Sequence, residues 1–172
     1  MLTRRRFLQV GLAGTAVLVA ARLLSPGAPR LPYRVLDGHS AEVIAALVPA
    51  VLAGSLPADP AARAGAIGDT VDAFDRAVSG LSPAVQAEID QLLSVLRLAP
   101  TRIALAGITS SWKEASEAEV GAFLNRWRTS RFDLLRAGYQ ALTQLLQAAW
   151  YDNALSWHAI GYPGPPPLVE PR

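Results

Sequence analysis

At 172 residues, the chain has room for one core once about 30 residues of leader are set aside, and not for a cofactor domain beside a substrate domain. Its pI of 9.4 is set by the amino end: without Arg4, Arg5 and Arg6, 13 basic residues remain against 14 acidic ones, which argues against nucleic-acid binding. Cysteine is absent, excluding disulfides, thiol nucleophiles, cysteine-ligated iron–sulfur clusters and covalently attached haem.

The amino end reads Thr3-Arg4-Arg5-Arg6-Phe7-Leu8-Gln9 and runs straight into the apolar segment Val10 to Ala21. Paired arginines, Arg4 and Arg5, followed closely by Phe7 and Leu8 resemble a twin-arginine export signal, an address carried by proteins that leave the cytoplasm already folded. The apolar run from Val10 to Leu24 has 15 residues and is broken by Arg22, short of the roughly 20 needed to span a bilayer. Val19-Ala20-Ala21 is an acceptable small-residue cleavage site. An uncleaved signal would tether the protein to a membrane; either way the expected location is periplasmic or otherwise extracytoplasmic. Residues 1–30 are therefore read as signal and leader, and 31–172 as one helical domain with a Pro-rich tail.

Beyond the leader, apolar residues recur with helical periodicity, with no strand alternation. A first helix is expected after Ser40 as N-cap, with Glu42 in its first turn, an inner face of Val43, Ile44, Leu47, Val51 and Leu52, a kink or early end at Pro49, and a stop at Gly54. After a loop over residues 55–60, a second helix from Ala61 to Ser79 places Ile67, Val71, Phe74 and Val78 within roughly 60° of one another, opposite Asp69, Asp72 and Arg76. Gly80 ends it, and Ser82-Pro83 restarts the chain as N-cap and first helical residue. Val85, Ile89, Leu92, Leu93 and Leu96 face inward on the third helix, which Pro100 terminates; the second and third helices read as a short-looped antiparallel pair.

Residues 101–107 suggest a further helical turn carrying Ile103 and Leu105. Ser116 with Glu119 forms a capping box that opens a helix buried through Val120, Phe123, Leu124 and Trp127. The last helix, from Arg131 to about Trp150, spreads Phe132, Leu134, Leu135, Tyr139, Leu142, Leu145, Leu146 and Trp150 over roughly 160° of its circumference, against the ~100° of an ordinary surface helix. It is therefore either the centre of the bundle or partly covered by another chain. The overall expectation is an all-α bundle of about five helices, preceded by an export signal and followed by a Pro/Gly-rich aromatic turn.

Residues capable of chemistry are few. His39 and His158 stand apart, without metal-site spacing. Asp69, Asp72 and Asp75 are expected on a surface rather than as an acid–base group, with Asp72 able to pair with Arg76. Neither a nucleophile elbow nor a phosphate-binding glycine loop is present. The expectation is a protein without catalytic, cofactor-binding or metal-binding residues of its own.

At the carboxyl end stand Trp150-Tyr151-Asp152, then Ser156-Trp157-His158-Ala159-Ile160-Gly161-Tyr162-Pro163-Gly164-Pro165. Gly161 suits a helix stop, and Pro163-Gly164 the centre of a type II turn, either sealing the core or presenting its aromatics to a partner. This ending, behind a twin-arginine signal and a cysteine-free helical body, resembles the gluconate 2-dehydrogenase subunit 3 family. The resemblance rests on Trp150, Tyr151, Trp157, Gly161, Tyr162, Gly164 and Pro165, sharp only at the two ends of the chain. It implies a non-catalytic small subunit that folds with a flavin-dependent dehydrogenase of the glucose-methanol-choline type, lends it passage through the twin-arginine export machinery and stays bound outside. That enzyme would act on sugars, sugar acids or alcohols, and the FAD would belong to it. Trp150, Tyr151, Trp157, Tyr162, Pro163, Gly164 and Pro165 then become the expected partner interface. Low charge, 17% of residues against 51% hydrophobic, agrees with an apolar surface that faces something else. The competing expectation is a stand-alone extracytoplasmic module binding an apolar ligand within the bundle.

Overall fold

A computed structural model describes residues 33–153, 156–157 and 161–163. The export signal, His158, Gly164 and Pro165 lie outside the described residues. Within them the protein is all-helical, without a strand: α1 (Gly38–Val51), α2 (Pro60–Ser79), α3 (Pro83–Arg97), a three-residue turn α4 (Ala99–Thr101) running into a π-helical turn (Arg102–Ala106), α5 (Glu117–Arg128) and α6 (Asp133–Tyr151).

Helix starts follow local chemistry. Asp59 caps α2 through the Ala62 N–H at 2.8 Å, Ser82 caps α3 ahead of Pro83, and Ser116 and Glu119 form the expected capping box of α5. The first helix departs from expectation. Its N-cap is Asp37, whose Oδ1 accepts the Ser40 N–H at 2.7 Å, so Ser40 is buried in the first turn instead of opening the helix. Asp37 wins because its second oxygen also meets Arg97 of α3. Burial works against the Asp37 charge, yet the Ser40 N–H and hydroxyl and the Arg97 guanidinium outweigh it and hold the carboxyl below its ordinary range. Pro49 lies in the last turn, and α1 ends at Val51, before Gly54.

The centre of the bundle is α1, not the last helix. It packs on α2, α3, α5 and α6, and its sequence is apolar nearly all round, as a surrounded helix requires. Val43, Ile44, Leu47 and Val48 meet Phe74, Val78, Leu93, Leu96, Phe123, Leu142 and Leu146 in one buried cluster. The second and third helices do not form the expected pair: each lies on α1, and α2 instead packs along α6. Val85, expected inside, is exposed at the start of α3.

Carbonyls left open at the end of α3 are satisfied by long-range donors. The Trp112 indole N–H donates to Leu96 O at 2.8 Å, and the Thr101 hydroxyl donates to Val95 O. At the π turn, the Arg126 guanidinium reaches Ala106 O, and the Trp127 indole N–H donates to Leu105 O at 3.1 Å. Residues 102–106 thus hang from α5 by their backbone; the further helical turn expected here is a π turn, and its Ile103 and Leu105 are exposed.

The α5–α6 contact is closest at Gly138, where an added Cβ would stand 2.8 Å from Trp127 Cζ3. In an open helix, Gly→Ala gains about 1 kcal/mol of helix propensity. Here the indole would have to move, and overpacking costs about 1 to 3 kcal/mol. Gly138→Ala is therefore expected to destabilise the chain by up to about 2 kcal/mol net, whereas Gly121→Ala on α5, where an added Cβ meets nothing, gains stability. Denaturant unfolding of the two variants measures both signs.

Candidate partner-facing surface

The exit of α6 sorts its two aromatic residues to opposite sides. Trp150 is 3% exposed and belongs to the core with Leu142 and Leu146, so it is removed from the expected interface. Tyr151, one residue on, is 53% exposed. The Trp157 indole N–H then donates to Tyr151 O at 2.8 Å, folding the chain back over the open end of the helix. Ser156 is buried, with both its N–H and its hydroxyl donating to Asn153 O at 3.0 and 2.6 Å.

Gly161 has φ +69°, and the Tyr162 N–H donates to Trp157 O at 2.9 Å. A left-handed glycine followed by a six-to-one bond, with an apolar contact between the bonded residues, is the Schellman pattern of helix closure. The apolar contact is the edge-to-face pair of Trp157 and Tyr162, with centroids 5.7 Å apart. Gly161 fills the expected role of a stop. Its conformation costs a residue with a Cβ about 1 to 2 kcal/mol. Tyr162 remains 45% exposed, Pro163 is exposed and Trp157 is half-buried. Of the expected interface, then, Tyr151, Tyr162 and Pro163 reach the surface and Trp157 supports them.

Nearby, Arg76 of α2 lies 3.6 Å from Asp152, not paired with Asp72, and braces this end of α6. Asp69 and Asp72 are exposed as expected. Asp75 is not: it is 3% exposed. Its two oxygens accept the backbone N–H groups of Arg34, Val35 and Leu36 at 2.7, 2.9 and 2.9 Å. The carboxylate is committed to holding residues 34–36, a positioning task. Burial, with the charges of Asp72 and then Asp75, pushes the Tyr33 hydroxyl above its usual range. His39 lies in the exposed first turn of α1, with Nδ1 3.8 Å from Glu42, and no cluster of three or more metal-ligating side chains occurs among the described residues.

Compared with protein families, with curated proteins and with solved structures, the chain matches none.

Proposed function

We propose that this chain is the non-catalytic small subunit and export escort of a periplasmic flavin-dependent dehydrogenase of the glucose-methanol-choline type, acting on a sugar, sugar acid or alcohol. The flavin is carried by the large subunit, and the escort supplies the twin-arginine address. The observation that supports this reading most is the terminal turn. It is closed by its own backbone bonds and the Trp157–Tyr162 contact while Tyr151 and Tyr162 stay at the surface, an arrangement suited to presenting aromatics to a partner. A turn that only sealed the core would bury them.

Two measurements test it. Arg4→Lys with Arg5→Lys keeps the charge but not the paired planar guanidinium groups, so the double variant and its flavoprotein are expected to remain in the cytoplasm. Trp157→Ala and Tyr162→Ala are each expected to weaken co-purification of the flavoprotein by about 30-fold, the effect of a hot-spot side chain worth about 2 kcal/mol, with little change in the Tm of the chain alone. Loss of Tm with undiminished co-purification would instead make the turn a cap on the protein's own core. A monodisperse chain that binds an apolar ligand in the bundle and captures no flavoprotein would support the stand-alone module.

A further inference from the structure

Among the described residues, the two most exposed large apolar side chains are not at the terminal turn. Leu134 is 81% and Phe132 55% exposed, both at the start of α6, a helix of 19 residues and so about 28 Å from its other end. The exposed Ile103 and Leu105 of the π turn belong to the same region, joined to it by Trp127. The indole N–H holds Leu105 O at 3.1 Å, while the far edge of the ring covers Gly138, one turn along α6 from Leu134.

Charge distinguishes this end. Among the described residues, Arg63, Arg76, Arg97, Lys113 and Arg136 each pair with a carboxylate. The described cations without such a pair are Arg34, Arg102, Arg126, Arg128 and Arg131, and the last four lie on the segments that carry or adjoin the apolar side chains: the π turn, the end of α5 and the α5–α6 connection. Arg102 and Arg126 donate to the carbonyls of Ile108 and Ala106, Arg128 to Asn125 Oδ1, and Arg131 lies 4.8 Å from the centroid of the Phe132 ring. Hydrogen bonds to neutral acceptors fix the first three of these guanidinium groups, and the ring contact the fourth, without cancelling their charge. The even balance of the whole chain conceals this local excess.

From protruding apolar side chains with uncompensated arginines on the same and adjoining segments, we infer that the Phe132–Leu134 end of the bundle is a docking face for an anionic lipid surface. Phe132, Leu134, Ile103 and Leu105 enter the headgroup–acyl boundary, and Arg102, Arg126, Arg128 and Arg131 meet lipid phosphates. No helix among the described residues is long and apolar enough to cross a membrane, so the contact is peripheral. It is independent of the escort reading and lies at the opposite end of α6 from the terminal turn.

The absence of cysteine allows a site-specific test on the full chain. Ala104→Cys, between Ile103 and Leu105, and Asp69→Cys, on the exposed face of α2, are each labelled with a polarity-sensitive dye and mixed with vesicles of phosphatidylcholine, with or without phosphatidylglycerol. The dye at 104 is expected to shift to the blue only with phosphatidylglycerol, and the dye at 69 not at all. Arg128→Glu with Arg131→Glu is expected to lower the vesicle affinity read at 104 by roughly tenfold to a hundredfold, as is high salt. Phe132→Ser with Leu134→Ser should lower it without changing the salt dependence. Because the export signal itself attracts anionic lipid, sedimentation with vesicles while the dye at 104 stays unshifted overturns the proposal. So does a shift at 104 that grows with protein concentration in the absence of lipid, which would assign the face to a second copy of the chain.

Discussion

Asp75→Ala is expected to lower the stability of the fold by about 3 to 5 kcal/mol, more than any other exchange of a charged residue in the chain. The variant removes an acceptor shared by three consecutive backbone N–H groups, and each buried donor left without a partner costs about 1 to 3 kcal/mol. Leu36 is buried, whereas Arg34 is exposed and recovers water, which keeps the sum below three full penalties. For a domain of this size the loss corresponds to a fall in Tm of about 10 to 15 °C. Asp75→Asn retains one carbonyl acceptor and is expected to fall between the two. Asp72→Ala is the control: it lies three residues away on the same helix, but on the exposed side, and should change stability by no more than about 0.5 kcal/mol. Thermal melts rank the variants, and hydrogen exchange at residues 34–36 locates the damage. Equal melts for Asp75→Ala and Asp72→Ala would show that the buried carboxylate does not hold the segment after the leader.

The second large effect is expected at Trp127. Truncation to alanine opens a cavity beside Phe123, whose ring meets the indole edge-to-face with centroids 4.8 Å apart, and removes the surface on which Gly138 rests. Large aromatic truncations of this kind cost about 3 to 5 kcal/mol. The Leu105 carbonyl also loses its donor, freeing the π turn from α5. Trp127→Phe keeps much of the packing but not the indole N–H, and is expected to lose about 1 to 2 kcal/mol. Denaturant unfolding gives the magnitudes, and proteolysis within residues 102–110 reports release of the turn. If Trp127→Ala unfolds no more easily than Trp127→Phe, the indole is not the joint between these segments.

Helix boundaries at Ser82-Pro83 and at Ser116 with Glu119 were legible because their hydrogen bonds close within a single turn, between a side chain and a backbone N–H three residues away. The faces of α2 and α5 were legible for a similar reason: a period of 3.6 residues places Val71, Phe74 and Val78, or Val120, Phe123 and Trp127, on one side, whatever covers them. All-helical architecture follows from these local rules. The closing role of Gly161 could likewise be read directly.

Tertiary structure decided what local rules leave equal. Asp72 and Asp75 are the same residue type on the same helix, and their different fates depend on a segment some forty residues earlier bringing its N–H groups to only one of them. Asp37 displaced Ser40 as N-cap because Arg97, sixty residues away, meets its second oxygen. Periodicity showed that α6 carries a wide apolar arc but not that α1 takes the centre, which leaves Leu142, Leu146 and Trp150 buried while Phe132 and Leu134 stand in solvent. Four arginines spread over residues 102–131 carry a common charge in any chain. Only packing brings the π turn and α6 to one indole, Trp127, which holds Leu105 O and covers Gly138, because hydrogen bonds within a turn are fixed by sequence separation, whereas burial and charge neighbourhood are fixed by packing.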